Sequence, residues 1–350
     1  MPRTLTIGVF DSGFGGLTVL RALLPLVPNA DYIYLGDTAR LPYGSKSHET
    51  IARYAVSSAK FLHEQGANLL VVACNTATAL ALEDIQRALP IPVIGVVEPG
   101  AQAALQSKPP FQASSFPKHP FQASSFPKHP FQTLSFPEQP SQTSSFRPKR
   151  SEVEKSASLP LPAEPPQDNL SRAHVRDSLI VANVGKTSLQ NHVLVLATTA
   201  TVQSHAYTHA LNALGLEAYE KACPLLVPLV EEGWTNHPVT DEVLRIYLTE
   251  ALTAASAAQT LLLGCTHYPL LEPAIRRILA SIGHPLTIID SAQATAHAVA
   301  AHPALNSHRS SPATQTRLFY ATDSIEKFER LGSAFLGQPV TGVRHIDLRE

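Results

Sequence analysis

The chain has few cysteines, little net charge and no long apolar segment, and each shortage excludes a class of protein. Only three of the 350 residues are cysteines, which is too few for the disulfide framework of a small secreted domain. The formal net charge is −1, so we expect neither nucleic acid nor a membrane surface as a partner. No apolar run is long enough to cross a bilayer, and the N-terminal MPRTLTIGVF has the pattern of a strand rather than of a signal peptide. We therefore expect a cytoplasmic protein.

What the chain does contain is an alternation of short apolar segments with longer amphipathic ones. We predict buried strands at TLTIGVF, DYIYLGD, NLLVVAC, PVIGVVE, HVLVLAT, TLLLGC and LTIID. Helices are predicted between them, for example at Leu17–Leu26, Thr50–Gln65 and Asp241–Ala258. This alternation predicts an α/β fold with mainly parallel sheets flanked by helices. A ligand site is then expected at the C-terminal ends of the strands.

One proline-rich tract interrupts this alternation. The segment FQASSFPKHP at Phe111–Pro120 recurs at Phe121–Pro130 and decays over the next twenty residues. Proline at this density excludes a helix or a central strand. We predict that residues of about 107–190 form an insertion that is mostly disordered. The alternative is a partner-binding tract, because Phe and Pro suit short linear motifs.

Two of the three cysteines lie in matching contexts. Cys74 in VVACNTATA and Cys265 in LLLGCTHYPLL each follow an apolar segment and precede polar residues that could open a helix, with Thr76 as the expected cap of the first. Helix amides beside a thiol favour its thiolate. Two such thiols facing one cavity could remove a proton from one side of a carbon and return one to the other. A buried structural cysteine is the alternative for either one alone, and Cys223, which precedes a proline, is predicted to be structural.

Other polar residues follow the predicted strands. The motif DSGFGG at Asp11–Gly16 matches no phosphate-binding loop, and its Asp11 could accept from an ammonium, hold a thiol or merely cap the next helix. The turn-rich loop at Leu41–Ser47 is suited to gripping a carboxylate. His267 suits assistance to a proton transfer, with a structural histidine as the alternative. The sequence has no local CxxC or HxxxH pair to support a zinc site, and we expect no metal.

Taken together, these motifs resemble those of a known family. DSGFGG, YLGDTARLPYG, ACNTATA, PVIGVVEPG, LATTATV, CPLLVPLVE, GCTHYPLL and IDSA occur in the order seen in bacterial glutamate racemases, of the aspartate/glutamate racemase superfamily. The resemblance implies an isomerase that interconverts L- and D-glutamate without pyridoxal phosphate or another cofactor, and that supplies D-glutamate for peptidoglycan. A related aspartate or hydantoin racemase, or an inactive regulatory homologue, is the alternative.

The resemblance also implies a domain organisation and an oligomeric state. It implies two similar α/β domains with the active site in the cleft between them, and a homodimer. The first domain would comprise residues 1–99 and 290–350 and carry Cys74. The second would comprise residues 100–289, carry Cys265 and contain the insertion.

Roles for individual residues follow from the same resemblance. Cys74 would deprotonate D-glutamate and Cys265 would deprotonate L-glutamate. Four residues would support them: Asp11 and His267 resemble residues that assist the cysteines, and Asp37 and Glu231 resemble supporting carboxylates. The implied substrate-binding residues are Asp11, Ser12, Pro42, Tyr43, Gly44, Ser45, Asn75, Thr76, Thr266 and His267.

Overall fold

A computed structural model of the chain describes residues 5–107, 192–307 and 315–348. All of these residues belong to one compact unit, which spans Met1–Gln112 and Ser188–Glu350. The predicted insertion at about 107–190 lies almost wholly outside the described residues, and the expectation about its order stays a prediction. Within the described ranges, no helix has both the length and the apolar character needed to cross a membrane.

Six parallel strands form the larger sheet. They are β1 Thr6–Asp11, β2 Asp31–Gly36, β3 Leu69–Val72, β4 Val93–Gly95, β9 Arg317–Ala321 and β10 Arg344–His345, in the spatial order β10–β9–β2–β1–β3–β4. The helices that follow its strands are α1 Leu17–Leu26, α2 His48–Glu64, α3 Asn75–Ala88, α4 Val97–Gln106 and α11 Ile325–Leu336. Two short 3₁₀ helices, Thr38–Arg40 and Tyr43–Ser45, lie in the loop between β2 and α2.

Four parallel strands form the smaller sheet. They are β5 His192–Ala197, β6 Glu217–Ala222, β7 Ala258–Gly264 and β8 Thr287–Asp290, in the spatial order β6–β5–β7–β8. The associated helices are α5 Thr199–Ser204, α6 Ala206–Ala213, α7 Leu226–Glu231, α8 Pro238–Ala254, α9 Glu272–Ser281 and α10 Ser291–Ala300. A 3₁₀ helix at Tyr268–Leu271 precedes α9, and another at Pro303–Ser307 follows α10.

The sheets are held by apolar layers on both faces. Along β1, the side chains of Ile7 and Val9 point into the apolar cluster that contains α1, whereas Phe10 points into the cluster that contains α2 and α3. This alternation is the two-residue period of a strand that is buried on both sides. Residues of β5 and β7 belong to the same cluster as those of α1, so the two sheets share one continuous core.

The prediction of an α/β fold with mainly parallel sheets is confirmed, and every predicted strand has a counterpart. One strand is shorter than predicted: PVIGVVE is extended only to Gly95, because β4 pairs with the four-residue strand β3 alone and α4 begins at Val97. The sequence analysis did not predict β6, β9 or β10, and EAYEKA of β6 is a partly exposed edge strand without a regular apolar pattern. The strand β8 ends at Asp290, one residue beyond the predicted border, and the domain division stays a prediction.

Both sheets have a topological switch point at their centre. In the larger sheet β1 lies between β2 and β3, and in the smaller sheet β5 lies between β6 and β7. The connections that follow the central strands run to opposite sides of each sheet. A crevice therefore opens at the C-terminal ends of these strands. The side chains placed there are Asp11 and Cys74 in the larger sheet and Thr198 and Cys265 in the smaller one.

Candidate active site

Cys74 lies two residues beyond β3 and caps the N-terminus of α3. Its Sγ accepts a hydrogen bond from the backbone N–H of Ala77 at 3.4 Å and lies 3.3 Å from the hydroxyl of Ser12. The expected cap, Thr76, is already the second residue of the helix, so the prediction that it caps α3 is wrong. The backbone of Cys74 is extended, with φ −66° and ψ 119°, and this turns its sulfur back over the first helical amides.

Burial is the main influence on the protonation of the Cys74 thiol. Burial raises the pKa of Cys74 to about 11, and the nearby charge of Asp11 acts in the same direction. Hydrogen bonds from Ser12 and Ala77 lower this pKa, as expected for donors at a helix N-terminus, but by less. The expectation that helix amides favour the thiolate is therefore confirmed in direction for Ala77, while desolvation is the larger effect on the pKa of Cys74.

Cys265 occupies the corresponding position after β7 but has different neighbours. No α-helix begins at this thiol, because a 3₁₀ turn follows it and α9 starts only at Glu272. Its Sγ lies 3.9 Å from Nδ1 of His267. Burial raises the pKa of Cys265 well above its usual value, a hydrogen bond from the backbone N–H of His267 lowers it by less, and negative charge on Cys74 raises it further. The two thiols are thus within electrostatic reach of each other, although they belong to different sheets.

His267 joins Cys265 to a carboxylate. Its Nε2 lies 3.3 Å from Oε1 of Glu231 at the end of α7, and its ring packs edge-on against Phe335 at 5.0 Å. Burial acts to raise the pKa of Glu231, but the hydrogen bond and charge of His267, together with Lys327, hold it below its ordinary value. The carboxylate of Glu231 is therefore ionised and holds the imidazole of His267 in one orientation. One ring nitrogen faces Glu231 and the other faces the thiol of Cys265.

Asp11 lies at the end of β1, and one of its carboxylate oxygens accepts a hydrogen bond from the turn that follows. Its Oδ2 accepts from the backbone N–H of Gly13 at 2.9 Å, whereas Oδ1 is buried and has no hydrogen-bond partner among the described residues. Burial raises the pKa of Asp11, which the charge of His267 partly opposes. The N-cap of α1 is Gly16, and no side chain caps this helix, so the alternative that Asp11 merely caps the next helix is wrong.

Asp37 is fully buried, and its hydrogen bonds hold the loop that follows β2. Its carboxylate accepts from the hydroxyl of Tyr43 at 2.5 Å, from Nε of Arg40 at 3.0 Å and from the hydroxyl of Thr322 at 3.0 Å. These contacts fix the 3₁₀ segments that carry Pro42, Tyr43 and Gly44. The side chain of Ser45 lies outside the described part of the structure. A role for Asp37 in the reaction stays a prediction.

Asn75 and Thr76 contact hydroxyl residues that the sequence analysis missed. The hydroxyl of Thr76 lies 3.0 Å from that of Thr198 and 3.2 Å from that of Thr201, and Oδ1 of Asn75 accepts from the hydroxyl of Tyr207 at 2.6 Å. Nδ2 of Asn75 is buried without a partner in the described ranges. The signal for Thr198 was present, because LATTATV follows β5 directly, just as ACNTAT follows β3.

The glycines of DSGFGG allow the two thiol loops to approach each other. A Cβ atom on Gly15 would lie 2.1 Å from Oγ1 of Thr266 and 2.6 Å from Nδ1 of His267. The hydroxyl of Thr18 also donates to the backbone carbonyl of Thr266 at 3.0 Å. The loop after β1 therefore packs directly on the segment that carries Cys265, and Thr266 and His267 lie where the two sheets meet.

The residues described above bring two thiols, an imidazole–carboxylate pair and several hydroxyls to one place. A sequence model of the family described as Asp/Glu/Hydantoin racemase matches residues 7–112 and 181–299. The chain belongs to the Asp/Glu/hydantoin racemase family. The predicted resemblance and the prediction of an isomerase are thereby confirmed.

Individual members of the family match this racemase over nearly its whole length. It is 42% identical to the glutamate racemase of Koribacter versatilis (strain Ellin345), over 98% of this chain and 97% of that one. The crystal structure of glutamate racemase from Francisella tularensis in complex with D-glutamate has a TM-score of 0.69 at 27% identity, covering 99% of this chain and 98% of that one. The glutamate racemase of Thermus thermophilus, in complex with beta-chloro-D-alanine, has a TM-score of 0.66 at 33% identity, covering 99% and 98%.

The arrangement of acidic, thiol and imidazole groups in this racemase does not make a metal site. In the ranges that the structure describes, no group of three or more His, Cys, Asp or Glu side chains could hold a metal ion. The third cysteine, Cys223, is buried, and its Sγ lies 3.6 Å from the backbone carbonyl of Lys221.

Proposed function

We propose that this racemase interconverts L- and D-glutamate by a cofactor-independent, two-thiol reaction. The observation that supports this most directly is the presence of two buried thiols, Cys74 and Cys265, at the switch points of two sheets that meet in one site. The glutamate substrate is inferred from the relatives, since those of Koribacter versatilis and Francisella tularensis are named glutamate racemases and the latter is in complex with D-glutamate.

In the proposed reaction a proton leaves one face of Cα and another arrives on the opposite face. With D-glutamate, the thiolate of Cys74 takes the α-proton and becomes a thiol, while the thiol of Cys265 donates its proton and becomes a thiolate. With L-glutamate, the same steps run in reverse, so Cys265 is the base. Each positioned proton-transfer group contributes about 10²–10⁴-fold to such a rate.

The raised pKa of each thiol suits this task once substrate is bound. The α-proton of a zwitterionic amino acid is very weakly acidic, so a strong base is needed to remove it. Burial provides such a base in Cys74, whose pKa is about 11. The ammonium group of a bound amino acid brings a positive charge into the site, which favours the thiolate at the moment when it is required.

Two buried polar atoms that have no hydrogen-bond partner among the described residues are suited to hold the substrate. We propose that Oδ1 of Asp11 accepts from the ammonium group and that Nδ2 of Asn75 donates to a carboxylate. Three hydroxyls complete the proposed binding set together with one loop. The hydroxyls belong to Ser12, Thr76 and Thr266, and the loop carries Pro42, Tyr43, Gly44 and Ser45. His267, supported by Glu231, assists Cys265, and Asp37 acts through the loop that it holds.

The remaining inferences concern the setting of the enzyme. We propose a cytoplasmic homodimer whose D-glutamate is used for peptidoglycan, in agreement with the family resemblance. The domain division at residues 1–99 with 290–350 and 100–289 belongs to the same proposal. An aspartate or hydantoin racemase is the second candidate, because the family description itself names these substrates.

Circular dichroism of the purified protein with D-glutamate and no added cofactor tests the proposal. The optical signal should decay to zero as the enantiomers equilibrate, and L- and D-aspartate should give no comparable decay. In D₂O, solvent deuterium should enter the product enantiomer well before it enters the recovered substrate, because separate bases act on the two faces. Equal early labelling of both pools would indicate a single base and contradict the two-thiol reaction.

A further inference from the structure

Tyr207 connects the smaller sheet to the substrate-binding end of the larger one. It lies on α6 with no exposed surface, and its hydroxyl donates to Oδ1 of Asn75 at 2.6 Å. Asn75 is the first residue of α3 and follows Cys74 directly. A residue that belongs to the Cys265 side of the molecule thus contacts a binding group on the Cys74 side.

This hydrogen bond determines which end of the amide faces the site. A side-chain amide has an acceptor oxygen at one end and two donor hydrogens at the other. Burial raises the pKa of Tyr207 far above its usual value, so its hydroxyl stays protonated and can donate. With Oδ1 of Asn75 engaged by Tyr207, Nδ2 points away from the tyrosine, and it is the buried atom that has no partner in the described part of the chain. The reversed amide would instead present an oxygen, which repels a carboxylate.

The aromatic ring of Tyr207 has no room to move away from this position. A Cβ atom on Gly264 in β7 would lie 2.9 Å from Cε2 of the ring, and one on Gly100 in α4 would lie 3.4 Å from Cε1. The ring therefore fills the space that these two glycines leave. Its hydroxyl is held in one place by packing rather than by a flexible chain.

We propose that Tyr207 is a positioning residue that orients the amide of Asn75 with its NH₂ group toward a substrate carboxylate. This inference rests on the proposed function, because it assumes that Asn75 binds the substrate. Tyr207 does not touch the reacting atoms and acts only through Asn75. Tyr207 also makes substrate binding depend on contact between the two halves of the molecule. The tyrosine lies on α6 beside the smaller sheet, and Asn75 lies on α3 beside the larger one.

A double-mutant cycle with Tyr207→Phe and Asn75→Ala tests the inference. The Phe variant keeps the ring and removes the hydroxyl. We expect KM for D-glutamate to rise about 3–10-fold, with kcat changed by less than about twofold, because one neutral hydrogen bond is lost and binding is weakened equally in the ground and transition states. In the Asn75→Ala background, Tyr207→Phe should have no further effect on KM.

Tyr32→Phe is the matched control. Its hydroxyl is also buried and donates to the backbone carbonyl of Val27 at 2.8 Å, in the core of the larger sheet. Removing it should lower the thermal unfolding temperature without changing KM. An equal rise of KM in Tyr32→Phe and Tyr207→Phe would overturn the inference. So would a double mutant in which the effects of Tyr207→Phe and Asn75→Ala on KM simply add.

Asn75→Asp provides a second test that leaves Tyr207 intact. The aspartate still accepts from Tyr207 but presents an oxygen to the substrate, so we expect KM to rise more than in Asn75→Ala. An Asn75→Asp variant with the wild-type KM would overturn the inference. Failure of the proposed function would be distinguishable, because the wild-type protein itself would then racemise no glutamate and both conclusions would be lost.

Discussion

The loop at Cys74 and the loop at Cys265 place a thiol at the same point of two similar sheets, yet they surround it with different groups. Around Cys74 the hydrogen-bond donors are a helix amide and the hydroxyl of Ser12. Beside Cys265 stands the imidazole of His267, which is backed by the carboxylate of Glu231. Both thiols thus have neutral donors beside them, and Cys265 has an ionisable pair as well.

The difference shows that a reaction with mirror-related substrates does not require mirror-related surroundings. The two enantiomers have equal free energies, so any change in the protein must alter kcat/KM equally in the two directions. The individual proton transfers carry no such constraint, because each thiol has its own neighbours and its own pKa. Experiments that separate the two transfers are therefore the ones that can confirm or contradict the comparison.

The largest effect is expected from loss of either thiol. Cys74→Ser and Cys265→Ser should each lower racemisation by at least about 10²–10⁴-fold, because inversion needs a base on one face and an acid on the other. The optical signal of each enantiomer measures this, and Cys223→Ser, at the buried cysteine outside the site, is the control. Near wild-type rates in both active-site variants would contradict the two-thiol reaction.

A large effect is also expected where the two loops meet. Gly15→Ala places a methyl group 2.1 Å from Oγ1 of Thr266, so the segment that carries Cys265 must shift. A displacement of 1 Å in an active site can cost about 10²-fold in rate, and we expect a loss of that order. Gly215→Ala is the control, because its φ of 75° strains an alanine backbone while nothing lies within 4 Å of the added methyl group. Equal activity of the two variants would show that the loops need not be in contact.

The sequence predicted the strands that precede the two thiols, and the thiols themselves, better than the groups around them. Apolar strands followed by a polar residue located Cys74, Cys265 and Asp11, because that pattern depends on local order along the chain. The contacts of Thr198 and Tyr207 depend on how two sheets pack against each other, which no local pattern encodes. The helix after Cys265 was expected by analogy with α3, and the structure has a 3₁₀ turn there instead.

An intermediate effect is expected from Glu231→Gln. It removes the charge that supports His267, so transfers at Cys265 should slow by about tenfold, less than loss of a direct proton-transfer group. In the proposed reaction Cys265 deprotonates L-glutamate and Cys74 deprotonates D-glutamate. The primary deuterium isotope effect should then rise with L-glutamate labelled at Cα and fall with labelled D-glutamate. Glu217→Gln is the control, since Glu217 pairs with His192 at 3.3 Å on β5 and β6. Isotope effects that change in the same direction would show that Glu231 serves both thiols.

The smallest effect is expected from Ser12→Ala, and it should be confined to one thiol. The hydroxyl of Ser12 lies 3.3 Å from Sγ of Cys74 and lowers its pKa, so the variant should raise this pKa above about 11. Because the thiolate is the reactive form, alkylation of Cys74 by iodoacetamide should require a higher pH. A neutral hydrogen bond contributes about 0.5–1.5 kcal/mol and one pKa unit corresponds to about 1.4 kcal/mol, so the shift should not exceed about one unit. Mass spectrometry of the alkylated peptides follows both thiols in one sample, and Cys265 serves as the internal control. A shift at both thiols, or at neither, would mean that their surroundings are not independent.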